Sequence, residues 1–356
     1  MQSRGRVRGA TAGGGVTVGT PAWLSGYEEL VERALKGALG QQSFPLYRLM
    51  EYQLGWRDEH GAAQERAAPR LYGALCLLAC GGLGGPAERA VPAAVALELV
   101  YQFLQAHADL QEGSQERYQR PTLWWVSGPA QAINVGDGLH TLARLALMRL
   151  TEQGVPEHQV VRSLQTLDAA CLRTCEGVHQ GLVYQERLDI SPDQYERTAR
   201  ASTGALVGCA LELGAQAAEA PAGTGETLRA AGEDLGVAFQ VQEDIQGLWG
   251  APLSGKPRGS ETLVKKKGYP VVYALEHAPL AQKRELGALF FKRVLEPVDL
   301  ERLTALLEGL GARAAAQLAA EEHLRRALLR LEGIFVVEDC RRDLERTGRW
   351  LALRDN

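Results

Sequence analysis

Two short acidic segments, each followed by basic residues, are the parts of this sequence whose residue types could do chemistry. The first is His107-Ala108-Asp109-Leu110-Gln111-Glu112, trailed by Arg117 and Arg120. Asp109 and Glu112 stand three apart, so on a helix both carboxylates can leave from one face. The second is Phe239-Gln240-Val241-Gln242-Glu243-Asp244, trailed by Lys256 and by Lys265, Lys266 and Lys267. Carboxylates are hard oxygen ligands of the kind magnesium takes, commonly together with substrate phosphates. Arginine completes a phosphate cage with a bidentate fork, lysine with a point charge. Each segment alone also reads as an ordinary solvated helix end; together they point to a phosphorylated substrate held through magnesium.

Both segments close strongly apolar stretches. Residues 92–104 are apolar on nearly every side, which places them in a central helix of a bundle and not on its surface. From Trp23 onward apolar residues recur at three- and four-residue spacing, with few strand-like alternations. Long helices are predicted near 131–150, 158–186, 195–219 and 228–248, with breakers at 154–156, 191–192, 220–224 and 250–259 between them. The reading is all-α: one large helical bundle over residues 21–356, preceded by a disordered tail over 1–20. That tail carries Arg4, Arg6 and Arg8 and lacks the apolar stretch of a secretion signal.

Composition narrows the partners. The 356 residues hold 43 acidic and 39 basic side chains, a net charge of −4, which argues against nucleic acid. No run reaches the roughly 18 apolar residues of a membrane span. Of six cysteines, Cys76 and Cys80 are four apart, as are Cys171 and Cys175; that spacing fits buried free thiols better than zinc ligands. A reducing, cytoplasmic compartment is expected.

Several ordered motifs then carry a family resemblance: Arg120-Pro121-Thr122, residues 132–137 (Ala-Ile-Asn-Val-Gly-Asp), Cys175-Glu176-Gly177, Phe239-Gln240, residues 247–250 (Gly-Leu-Trp-Gly), Ser254-Gly255-Lys256-Pro257 and Lys266-Lys267. Over about residues 25–350 the chain resembles the trans-isoprenyl diphosphate synthases, the polyprenyl synthetase family. The resemblance implies the helical bundle of isoprenyl diphosphate and class I terpenoid synthases, a magnesium cofactor and a homodimer. It also implies two substrate sites in elongases, one for an allylic diphosphate held through magnesium and one for isopentenyl diphosphate held by basic residues alone.

The departures from that pattern shape the expected function. Where the family has a Gly-Lys-Arg-x-Arg segment, this chain has Ala68-Pro69-Arg70-Leu71-Tyr72, and Tyr118 replaces the second of two adjacent arginines. Each lost cation removes phosphate contacts worth about 1.5–3 kcal/mol, so the isopentenyl diphosphate site is expected to be lost. Ala108 stands at an aspartate of the first motif, Gly247 at the third acid of the second, and Ser202-Thr203 at the family's Lys-Thr. The resemblance then implies a class I terpene synthase: magnesium-dependent ionisation of farnesyl or geranylgeranyl diphosphate, followed by cyclisation. Asp109, Glu112, Glu243 and Asp244 are the expected catalytic acids, with Asp109, Glu112 and Glu243 as metal ligands. Arg117, Lys256, Lys266 and Lys267 are expected on the diphosphate, and Tyr101, Phe103, Trp124, Thr203, Phe239 and Gln240 in the cavity wall. Two alternatives stay open: an inactive partner subunit of an active prenyl synthase, and a prenyltransferase with an unrelated acceptor.

Overall fold

The computed structural model describes residues 19–40, 42–64 and 68–354. The predicted tail lies outside these residues except for Gly19 and Thr20. The helices, in chain order, are α1 (Ser25–Leu39), α2 (Pro45–Gln53), α3 (Leu71–Gly82), α4 (Val91–Gln111), α5 (Leu123–Ser127), α6 (Pro129–Met148), α7 (Glu157–Gln185) and α8 (Pro192–Ala199). They continue with α9 (Ala205–Ala217), α10 (Thr224–Trp249), α11 (Ser260–Leu263), α12 (Tyr269–His277), α13 (Leu280–Phe290), α14 (Pro297–Gly309), α15 (Ala312–Leu331) and α16 (Glu338–Leu353). A two-residue hairpin, β1 (Glu116–Arg117) with β2 (Arg120–Pro121), follows α4. The all-α reading therefore holds, with this hairpin as a small addition.

Helices α3, α4 and α9 are apolar nearly all round and are buried over most of their lengths, as a central position requires. Helix α4 packs along α6, while α10 lies between α9 and α15. Pro92 is the second residue of α4 and Pro192 the first of α8, positions in the first turn where the missing amide costs no helical bond. Ser191 caps α8 in a reciprocal capping box with Gln194. No helix among the described residues is long and apolar enough to cross a membrane.

The stretch predicted as one helix over 195–219 is two helices joined by a π turn, Arg200–Gly204. Packing explains the break. A Cβ at Gly177 of α7 would stand 2.7 Å from the Ser202 amide nitrogen, and one at Gly236 of α10 would stand 2.5 Å from the Gly204 Cα. The turn is thus squeezed between two backbones that approach to contact, and π turns of this kind tend to mark functional sites.

Candidate active site

Helices α4, α7, α8, α9 and α10, with the loop after α10, enclose a cavity of about 260 Å³. Its body is apolar and aromatic, with Tyr72, Tyr101, Leu104, Val178, Leu206 and Phe239 in the wall. The Tyr72 and Tyr101 rings lie 4.6 Å apart. At the mouth stand Glu112, Arg117, Glu243, Asp244, Lys256, Glu261, Lys266 and Lys267. Helix ends that are far apart in sequence bring the two acidic segments to one opening.

Four of the six expected wall residues line this cavity: Tyr101, Thr203, Phe239 and Gln240. The other two do not. Phe103 turns to the α6 side, its ring 4.8 Å from those of His107 and His140. On α4 the cavity face is formed by Tyr101, Leu104, Gln105, Ala108 and Gln111, with Glu112 at its C-terminal end, an arc of the helix that leaves Phe103 outside it. Trp124 donates its indole N–H to the Ser114 carbonyl at 2.6 Å and packs edge-on against Trp125.

Each acid of the two segments already has protein partners. Asp109 is buried and takes the Arg117 fork: Nε lies 3.1 Å from both carboxylate oxygens and Nη2 2.6 Å from Oδ1. It lines a small flanking pocket and not the main cavity. Glu112 is paired with the Lys256 ammonium, which also donates to Glu261 at 2.7 Å. Lys266 meets the same Glu261 at 2.7 Å. Glu243 accepts the amides of Leu253 and Ser254 at 2.8 Å each, and Arg354 Nη2 as well.

Asp244 closes a polar relay across the cavity. Thr203 Oγ1 donates to Gln240 Oε1 at 2.6 Å, and Gln240 Nε2 donates to Asp244 Oδ1 at 3.0 Å. The Tyr195 hydroxyl and the Tyr269 amide donate to Asp244 Oδ2 at 2.5 and 2.8 Å. Burial pushes this carboxyl up to about 6, against the pull of the Lys266 charge and the Tyr195 hydrogen bond. Burial and the neighbouring Lys265 push Lys267 down to about 8, while its ammonium donates to the Gln185 carbonyl at 2.5 Å. The Lys256 and Lys266 charges hold Glu261 well below the usual carboxylate range despite its burial.

The donor set does not fit a carboxylate-held magnesium cluster. Magnesium demands near-octahedral oxygen ligands, yet Asp109, Glu112 and Glu243 are each paired with a protein cation, Arg117, Lys256 and Arg354 in turn. Among the described residues no three His, Cys, Asp or Glu side chains are grouped to hold a metal ion.

Arg70, the cation kept in the early basic segment, is wholly buried away from the cavity. Its Nε donates to Glu32 at 2.8 Å and its Nη2 to the Leu54 carbonyl at 2.7 Å. In its place Pro69 and Tyr72 face the cavity. Tyr118 is fixed by its amide on the Gly255 carbonyl (2.7 Å) and its hydroxyl on that of Leu253 (3.1 Å). Sequence reasoning missed Glu261, Tyr195 and Arg354. Glu261 lies between Lys256 and the lysine run, a spacing that could have flagged it.

The polyprenyl synthetase family profile matches residues 65–307. The chain is 35% identical over 312 residues to the geranylgeranyl diphosphate synthase of Mycobacterium tuberculosis, covering 85% of this chain and 88% of that one. It is 29% identical over 305 residues to the (2E,6E)-farnesyl diphosphate synthase of Mycobacterium bovis, covering 84% of each. The solved polyprenyl synthetase of Streptomyces coelicolor A3(2) superposes with a TM-score of 0.84 at 30% identity, over 93% of this chain and 99% of that one. This chain belongs to the polyprenyl synthetase family.

Proposed function

We propose that this chain binds a linear C15–C20 prenyl diphosphate without elongating it, and that it works as the non-elongating partner of an active prenyl diphosphate synthase. The observation that carries this is an apolar cavity under a mouth whose acids are each tied to fixed protein groups. The hydrocarbon fits the aromatic wall, which gains by burying it. The diphosphate meets Lys256, Lys266 and Lys267. Those three ammonium groups have nine N–H donors, of which the structure spends four.

The named activity of the relatives, prenyl diphosphate synthesis, supports a prenyl diphosphate as the ligand and a transferase ancestry. It does not support the cyclising lyase expected from the sequence. That reading begins with magnesium-driven ionisation, and the acids it needs are engaged elsewhere. Elongation lacks its acceptor cations: Arg70 is committed to Glu32, and Pro69, Tyr72 and Tyr118 offer no positive charge.

Purified chain offered farnesyl and geranylgeranyl diphosphate, with and without isopentenyl diphosphate and magnesium, tests this reading. The expected result is binding by calorimetry with no new product, and a changed product length when the chain is mixed with an active synthase. Longer diphosphates from the chain alone would restore the elongase, and released hydrocarbons would restore the cyclase. We also propose self-association through α6 and α7, on the apolar residues those helices expose.

A further inference from the structure

Arg354 lies 111 residues beyond Glu243 in sequence and ends up inside the same site. Only 8% of it is exposed. Its guanidinium donates to Glu243 Oε1, and its own carbonyl accepts Gln242 Nε2 at 2.7 Å and Gln246 Nε2 at 3.0 Å. The guanidinium carbon also sits 5.6 Å from the Phe239 ring centre and 5.7 Å from that of Trp350. One residue thus engages four side chains of α10 and one of α16, through its backbone as well as its charge. The Leu253 and Ser254 amides hold the same carboxylate from the loop side.

On the facing helix the pattern repeats. Asp109 is clamped by Arg117, whose Nη1 also donates to the Ser254 carbonyl at 2.5 Å, and Glu112 is held by Lys256. A divalent ion at Glu243 would have to expel a guanidinium that its own carbonyl anchors. At Asp109 it would have to break a bidentate pair, the stronger kind of charge-assisted hydrogen bond.

We propose that Arg354, Arg117 and Lys256 are resident counter-cations of this mouth, and that the chain takes up a prenyl diphosphate without any divalent ion. Arg354 is the residue that closes the second acidic segment to metal. The proposal rests on the cavity being a prenyl diphosphate site.

Farnesyl diphosphate is titrated calorimetrically into the full chain, once in EDTA and once in excess magnesium. The expected dissociation constants agree within about threefold. A loss of tenfold or more in EDTA overturns the proposal while leaving the cavity's ligand intact; no binding in either buffer overturns both. Manganese alone, followed by its paramagnetic signal, is the second probe. The wild-type chain is expected to take up no tightly bound manganese, and tight uptake overturns the proposal. Arg354→Ala, confirmed folded by circular dichroism, is expected to bind manganese at least tenfold more tightly, and Arg354→Lys to stay like wild type. Unchanged manganese affinity in folded Arg354→Ala removes the role given to Arg354.

Discussion

Asp244 accepts three hydrogen bonds and still holds a proton up to about pH 6, because burial costs the charged carboxylate more than those donors return. Its folded-state pKa lies above the ordinary 3.8. Between roughly pH 4 and 6 the folded chain therefore binds a proton that the unfolded chain has released, and stability falls as pH rises through that window. Urea unfolding across pH 4–7 should show wild type losing stability relative to Asp244→Asn up to about pH 6, then running parallel. A constant difference throughout would mean that burial does not perturb Asp244. At this scale the sequence was readable where chemistry is local: the acids and lysines of the mouth sit in short motifs. Arg354 has no motif around it, and only the packing of α16 on α10 brings it to Glu243. Asp109 was legible as an acid but not as Arg117's partner.

Close backbone approach organises the site at the scale of elements. Helix α10 presents Gly232 and Gly236 to Gly208 and Gly204, so that a Cβ at Gly236 would meet the Gly204 Cα at 2.5 Å. That contact holds the π turn in place and sets Thr203 against Gln240. Gly236→Ala should destabilise the fold by about 1–3 kcal/mol, the usual cost of overpacking, and weaken prenyl diphosphate binding beyond that loss. Denaturant midpoints and calorimetry on the same variant check it, and an unchanged midpoint would show that the helices can part cheaply. Apolar spacing located the helices because each must bury a stripe. It could not locate the π turn, whose cause lies in Gly177 and Gly236 on other helices. The same limit misplaced Phe103: counting back from the acidic segment gave the right turn of α4 but the neighbouring face.

For the whole molecule, α6 and α7 leave large apolar side chains in water. Leu145 and Met148 on α6 are 55% and 51% exposed, and Val161 and Leu172 on α7 are 53% and 63% exposed. Neighbouring exposed apolar groups mark interaction surfaces, and a twofold face is the commonest closed solution. Sedimentation velocity should find a dimer for wild type and a monomer for Leu172→Lys; a monomeric wild type would remove this face from consideration. Charge balance on the whole chain gave no hint of the mouth, where cations and acids neutralise one another in pairs. The Glu243–Arg354 pair also sets an order of events during synthesis. Its two halves leave the ribosome 111 residues apart, roughly 6–22 s at common elongation rates. For that interval α10 carries an acid without its guanidinium, so a nascent chain presents a different mouth from the finished one and acquires its mature charge pattern only when α16 docks.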